Sequence, residues 1–221
     1  MSYSQTLEAI VLQCYNVGEA DRFVILFTRE RGRLAARARA VRKLKSKMGG
    51  SLLPLSHTEV ELKESSTGFL ITSARRLGED SGHLGIPGFL AAMRGMEWLL
   101  TLLHDEEPLP EIFDLTVKFL SFCKEDTYNV ALPRRPAPSE TLVLGFSLRL
   151  LQHLGQLPTD TRERFFAHFN ENERSFIEKS TQERWYDLPV LSRTEHNRLT
   201  NLTLKVAEEN AVRAPKVVSR W

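Results

Sequence analysis

Only two cysteines occur among the 221 residues, Cys14 and Cys123, far apart and outside any C-x-x-C pair, so a disulfide framework is not indicated and two buried thiols are expected. Long apolar runs are missing as well. None approaches the roughly 20 residues that span a bilayer, and the opening Met1-Ser2-Tyr3-Ser4-Gln5 has neither the charged nor the apolar region of a secretory signal. A cytoplasmic protein without membrane attachment is expected. Catalytic signatures are equally scarce. His57, His83, His104, His153, His168 and His196 are scattered, and no nucleophile and base recur at a recognisable spacing. Gly82-His83-Leu84-Gly85-Ile86-Pro87-Gly88 contains a proline and no following Lys-Ser/Thr, so it is not a phosphate loop. The reading is therefore no enzyme, no cofactor and no metal.

Charge, by contrast, is concentrated. Nine of the 30 basic residues lie between Arg29 and Lys47, where Glu30 is the only acid, so that segment alone carries +8 within a chain of net charge +2. Such a block is an electrostatic footprint for phosphate. A solvated face or a tail would also explain charge alone, and the surroundings of the run decide between these readings.

Those surroundings read as strands. Leu7 to Cys14 and Phe23 to Thr28 are apolar runs separated by the turn-like Asn16-Val17-Gly18-Glu19, and Gly32 can take the positive φ of a tight turn after Arg29-Glu30-Arg31. Beyond it Leu34, Ala36, Ala38 and Ala40 alternate with Arg33, Arg37 and Arg39, the period of a half-exposed strand. A basic helix would place Arg29, Arg33 and Arg37 on one side, but Gly32 would then sit inside it and the even-numbered apolar residues would wind around it. Arg42, Lys43, Lys45 and Lys47 follow in a mobile loop ended by Gly49-Gly50. Strands containing Leu52 to Leu55 with Thr58 to Lys63, then Phe69 to Ala74, complete four or five antiparallel strands in about 80 residues. A closed OB-fold barrel disposes of the exposed edges that a lone sheet would leave. Pro54 should mark a strand start, an edge or a bulge.

From residue 81 the period becomes helical, giving an α+β chain: an OB-fold nucleic-acid-binding domain over 1–80, then an α-helical bundle domain over 81–221. Phe89, Met93, Met96, Leu100 and Leu103 outline one amphipathic helix and Ile112, Leu115, Phe119 and Cys123 a second. The apolar helix from Ser139 to Leu154 should lie at the bundle's centre. Asp160 to Glu163 and Ser192 to Glu195 resemble capping boxes, and Pro215 should stop the last helix. Trp98 is expected in the core, Trp185-Tyr186 in packing. Arg134-Arg135, Lys216 and Arg220 are candidates for receiving an acidic peptide, and Trp221 is open between packing and a partner surface.

Glu19-Ala20-Asp21-Arg22 and Leu26-Phe27-Thr28-Arg29-Glu30-Arg31-Gly32-Arg33-Leu34 resemble the opening of the bacterial RecO family of recombination mediators. The basic loop running into Gly49-Gly50-Ser51-Leu52-Leu53-Pro54-Leu55, the helix Phe146 to Gly155, and the terminal Lys216 and Ser219-Arg220 are similar too. The resemblance is dense over residues 7–77, patchier over 84–157 and weak beyond except at the terminus. It implies DNA repair work without a catalytic site: binding single- and double-stranded DNA, annealing complementary strands, and helping RecA, with RecR as partner, to replace single-strand-binding protein, whose acidic tail family members bind. Many members carry a four-cysteine zinc site just after the segment matching Leu154 to Leu157. Here that region is Pro158-Thr159-Asp160-Thr161-Arg162, which points to a zinc-free branch. The expected DNA contacts are Arg31, Arg33, Arg37, Arg39, Arg42, Lys43, Lys45 and Lys47, with Arg75 and Arg76 as an extension. An RNA-binding OB-fold protein, or a scaffold docking an acidic partner, remain the alternatives.

Overall fold

A computed structural model describes residues 4–65, 68–77, 84–128 and 139–212. Arg134-Arg135, Lys216, Arg220 and Trp221, the Ser66-Thr67 turn and the proposed stop at Pro215 lie outside the described residues.

Five strands, β1 (Ser4–Val17), β2 (Asp21–Thr28), β3 (Gly32–Ala38), β4 (His57–Ser65) and β5 (Gly68–Arg76), close in the order β1-β2-β3-β5-β4. All neighbours are antiparallel except β3 and β5, which run parallel at Ala36↔Phe69 to Ala38↔Ile71. This is the OB-fold barrel. Period-two alternation fills it: Leu34, Ala36 and Ala38 point inward beside Leu7, Val24, Leu26, Val60, Leu62 and Ile71. Each large aliphatic side chain so buried contributes roughly 1.5–3 kcal/mol. The small alanines of β3 let the barrel close without overfilling. Cys14 also turns inward, donating to the Leu52 carbonyl at 3.2 Å, and burial pushes its pKa up to about 11 against the opposing pull of Arg22, so it is a neutral thiol at pH 7. Neither cysteine is in a disulfide.

Two expectations need correction here. Residues 51–55 form turns rather than a strand, and Pro54 sits among them, since Leu55 has a φ of 69° and its N–H turns back to the Val11 carbonyl at 2.9 Å. The loop before them is not loosely attached either. Val41 and Leu52 are in the barrel core with Met48 packed against it.

The chain divides into two compact units, Met1–Gly82 with Leu103–Val117, and His83–Leu102 with Lys118–Trp221. In the first, the segment after residue 102 pairs beside β3 through an Arg33↔Asp105 bridge, and Phe113 meets Phe27 at 5.6 Å between ring centroids. In the second, α3 (Ser139–His153) packs against α1 (Ile86–Leu102), α4 (Glu171–Thr181) and α5 (Arg193–Asn210), which makes it the central helix. The helix α2 (Pro110–Tyr128) contributes residues to both units. Its Ile112, Leu115, Phe119 and Cys123 are all buried, and Phe119 stacks on Phe146 of α3 at 4.2 Å.

Of the stripe expected on α1, Met96, Leu100 and Leu103 are buried, whereas Phe89 and Met93 in its first turns are exposed; Ala92, Gly95 and Leu99 are buried as well, and Gly95 lets the Phe119 ring approach where a Cβ would lie 2.2 Å from it. Asn170 with Glu173 caps α4, and Ser192 with Glu195 caps α5. Asp160 to Glu163 is no such box. It leads into a single 3-10 turn, Arg164–Phe166, without a side-chain cap, and Asp160 bonds Arg162 instead. Trp185 is buried against Phe122, at 5.1 Å between centroids, and Trp98 is buried as well.

Candidate nucleic-acid interface

The basic run divides at Arg37. On its N-terminal side each arginine meets a carboxylate. Arg29 is bonded by Asp114 and lies over the Phe113 ring at 5.8 Å. Arg31 donates to Glu106 at 2.9 Å, lies 3.8 Å from Glu64, and covers the Phe69 ring at 4.8 Å. Arg33, expected on the exposed face, is only 2% exposed and donates from Nε to Asp105 at 2.7 Å. Strand alternation does turn it out of the barrel, but the chain around Asp105 covers that patch, with the Glu106 N–H donating to the Arg33 carbonyl at 2.9 Å. A guanidinium withdrawn from solvent in this way is a structural ion pair. It cannot meet a phosphate without unpacking the segment above it.

Arg37 is half exposed and donates from Nε and Nη2 to one oxygen of Asp21, at 3.0 and 2.7 Å. The other oxygen of Asp21 accepts the Ala40 N–H at 2.7 Å. That backbone bond first, then the Arg37 bond, hold the Asp21 carboxyl below the ordinary range. Asp21 therefore shapes the turn in which Ala40 takes a φ of 53° and β3 gives way to the loop. Replacing Asp21 by Asn keeps an acceptor for Ala40 and removes the charge that occupies Arg37. Single-stranded DNA affinity should then rise, and its log–log salt slope should steepen by about 0.7, one phosphate contact. An unchanged slope in a salt titration would mean that Arg37 does not reach the strand.

Past Arg37 the picture changes. Arg39, just beyond the end of β3, and Lys43, Lys45 and Lys47 are exposed, and their side chains make no hydrogen bond or ion pair with any described residue, although the Arg39 charge helps to lower the pKa of the Asp21 carboxyl. Leu44 is wholly exposed among them. Arg42 is exposed and donates to the Gly18 carbonyl at 3.0 Å, while its N–H reaches the Ala20 carbonyl at 2.9 Å, fixing the start of the loop on the β1–β2 turn. The far end is fixed by arginines too: Arg22 donates to the Gly49 and Leu52 carbonyls at 3.3 and 3.4 Å, and Arg76 to that of Gly50. Arg75 pairs with Glu59 at 3.0 Å. Arg76 is thus a brace on the loop, and Arg75 a surface ion pair.

Four cations held on a short, anchored span thus stand at one end of β3, and Arg33 lies about 20 Å away along the strand, at about 3.3 Å per residue. Sequence reasoning missed the roles of Asp21, Arg22, Asp105 and Glu106. Alternation reports which side of a strand a residue occupies, not what later chain covers that side. No group of three or more His, Cys, Asp or Glu that could hold a metal ion occurs among the described residues, and none of their helices is long and apolar enough to cross a membrane.

A closed five-stranded barrel with this strand order, carrying a basic connection between its third and fourth strands, defines an OB-fold domain. Residues 1–77 match the family model described as "Recombination protein O N terminal". The chain is similar to proteins named "DNA repair protein RecO": that of Anaeromyxobacter dehalogenans is 33% identical over 147 residues, 63% of this chain and 54% of the relative. That of Myxococcus xanthus is 31% identical over 161 residues, 68% of this chain and 59% of the relative. In a Nocardioides species the identity is 44% over 79 residues, 36% of this chain and 32% of the relative. The chain spans about half the length of the curated relatives it matches.

Proposed function

We propose that this protein works in DNA repair and recombination by holding DNA through the phosphates at the Arg39–Lys47 loop, and that it anneals complementary strands. The observation that carries the reading is the group Arg39, Lys43, Lys45 and Lys47: exposed cations outside any ion pair among the described residues, on an OB-fold whose relatives are named for DNA repair. Point charges on flexible stems suit a backbone irrespective of base sequence, so single and double strands would both bind. The work is binding rather than catalysis, carried out in the bacterial cytoplasm at the nucleoid. The barrel over residues 1–80 supplies the DNA contacts. The helical domain over 81–221 supplies surfaces for RecR and for the acidic tail of single-strand-binding protein, so that RecA is loaded indirectly.

The test is annealing of complementary strands coated with single-strand-binding protein. The wild type should anneal them, and a variant with Arg39, Lys43, Lys45 and Lys47 changed to Glu should not. A preference for RNA over DNA of the same sequence would favour an RNA-binding role through 2′-hydroxyl contacts. Negligible affinity for either would favour a scaffold whose loop docks an acidic protein.

A further inference from the structure

On the outer face of the barrel one row of the sheet carries aromatic rings. Tyr15 of β1 is 45% exposed and Phe23 of β2 is 38% exposed, although the inward residues beside them, Cys14 and Val24, pack into the core. The two are directly opposite in register, and Phe23 is in turn opposite Arg37 of β3. Directly opposed residues share a face with Cβ atoms about 5 Å apart. The Tyr15 hydroxyl donates to Gln13 Oε1 at 2.7 Å, which ties the phenol to its own strand.

The row lies at the loop's end of the barrel. Arg42 bonds Gly18 and Ala20, in the turn joining β1 to β2, and Asp21 at the start of β2 bonds both Arg37 and Ala40. Arg37 is paired there with Asp21, so what the row offers is ring surface, while exposed cations outside any ion pair begin at Arg39. Rings beside cations match a polyanion whose repeating units also carry flat π-faces, which is the chemistry of unpaired nucleotides. Duplex DNA presents the same phosphates but keeps its base faces stacked inside.

We propose that Tyr15 and Phe23 are a stacking platform for unpaired bases of the strand whose phosphates the loop holds, and that they give the site its preference for single-stranded over duplex DNA. This rests on the phosphate-binding reading above and adds a second, charge-independent component to it. The experiment separates the two. Fluorescence anisotropy compares a labelled thymidine oligonucleotide with an equally long abasic oligonucleotide, which keeps the sugar-phosphate chain and lacks bases, and with a duplex. Wild type should bind the thymidine strand about tenfold or more tightly than the abasic one. A Tyr15→Leu/Phe23→Leu variant, which keeps an apolar residue in each strand, should bind the two alike, at the wild-type abasic level, with duplex affinity and melting temperature unchanged. Tyr15→Phe should keep the discrimination. Equal wild-type binding of thymidine and abasic strands, with the salt dependence intact, would overturn the platform and leave the phosphate reading standing. Discrimination that survives in the Leu variant would also overturn it. Failure of wild type to bind any of the three would overturn both.

Discussion

Changing Arg39, Lys43, Lys45 and Lys47 to Glu is expected to abolish the salt dependence of single-stranded DNA binding along with most of the binding itself. If each of the four cations meets one phosphate, the wild-type log–log salt slope is about −2.8, from about −0.7 per contact on single strands. Raising salt from about 50 to about 200 mM should then weaken wild-type binding about fifty-fold. The variant should show weak binding that hardly responds to salt. The contrast with the paired arginines gives the experiment its resolution. Arg31→Gln and Arg33→Gln remove as much charge per residue, but their guanidinium groups are bonded to Glu106 and Asp105, so the slope should stay near the wild-type value. Equal slopes for wild type and the four-fold variant would place the interface elsewhere.

The second large effect is on stability. Gly32→Ala should cost the barrel about 3 kcal/mol or more, the range of strained backbone combined with steric conflict. Two constraints meet at this residue. Its φ is 69°, and a Cβ would stand 1.9 Å from the Glu107 carbonyl oxygen and 2.8 Å from the Glu107 nitrogen, so backbone rather than a flexible side chain is in the way. Relief requires the chain around Asp105 to lift from β3, which breaks the Arg33–Asp105 ion pair and exposes a charge that is buried in the native barrel. Calorimetry should show a melting temperature lower by about 6–12 °C, from about 2–4 °C per kcal/mol for a chain of this size. Gly50→Ala is the control, since nothing lies within 4 Å of its added Cβ. A similar melting temperature for both variants would mean that the segment yields without cost.

Much of this architecture is legible in the residues. Alternation in Leu34 to Ala38 placed β3 and its inward face, and Gly32 announced a turn, because both signals come from one short stretch of backbone. The Ser192–Glu195 box put the start of α5 at Arg193 for the same reason. What escaped was made by distant chain. Nothing near Arg33 announces that Asp105 covers it, and Gly32 has a second reason to be glycine that lies 75 residues further along, at Glu107. The burial of Gly95 on α1 likewise comes from its accepting the ring of Phe119, an event between two helices that the periodicity of either one cannot show. The sequence reading put eight of the run's nine cations, all but Arg29, into one interface. Geometry separates those that hold the barrel together from those that face solvent.

The division of labour along the basic run has a consequence for anyone who cuts this protein. Asp105, Glu106 and Asp114, which neutralise Arg33, Arg31 and Arg29, belong to the barrel's compact unit although they follow residue 80 in the chain. A fragment ended at residue 80 would keep every arginine and lose all three counter-charges. It would be a stickier polyanion binder than the domain it is meant to represent, with cations at both ends of β3 rather than one. Excised at 80, the barrel would report on its own missing acids.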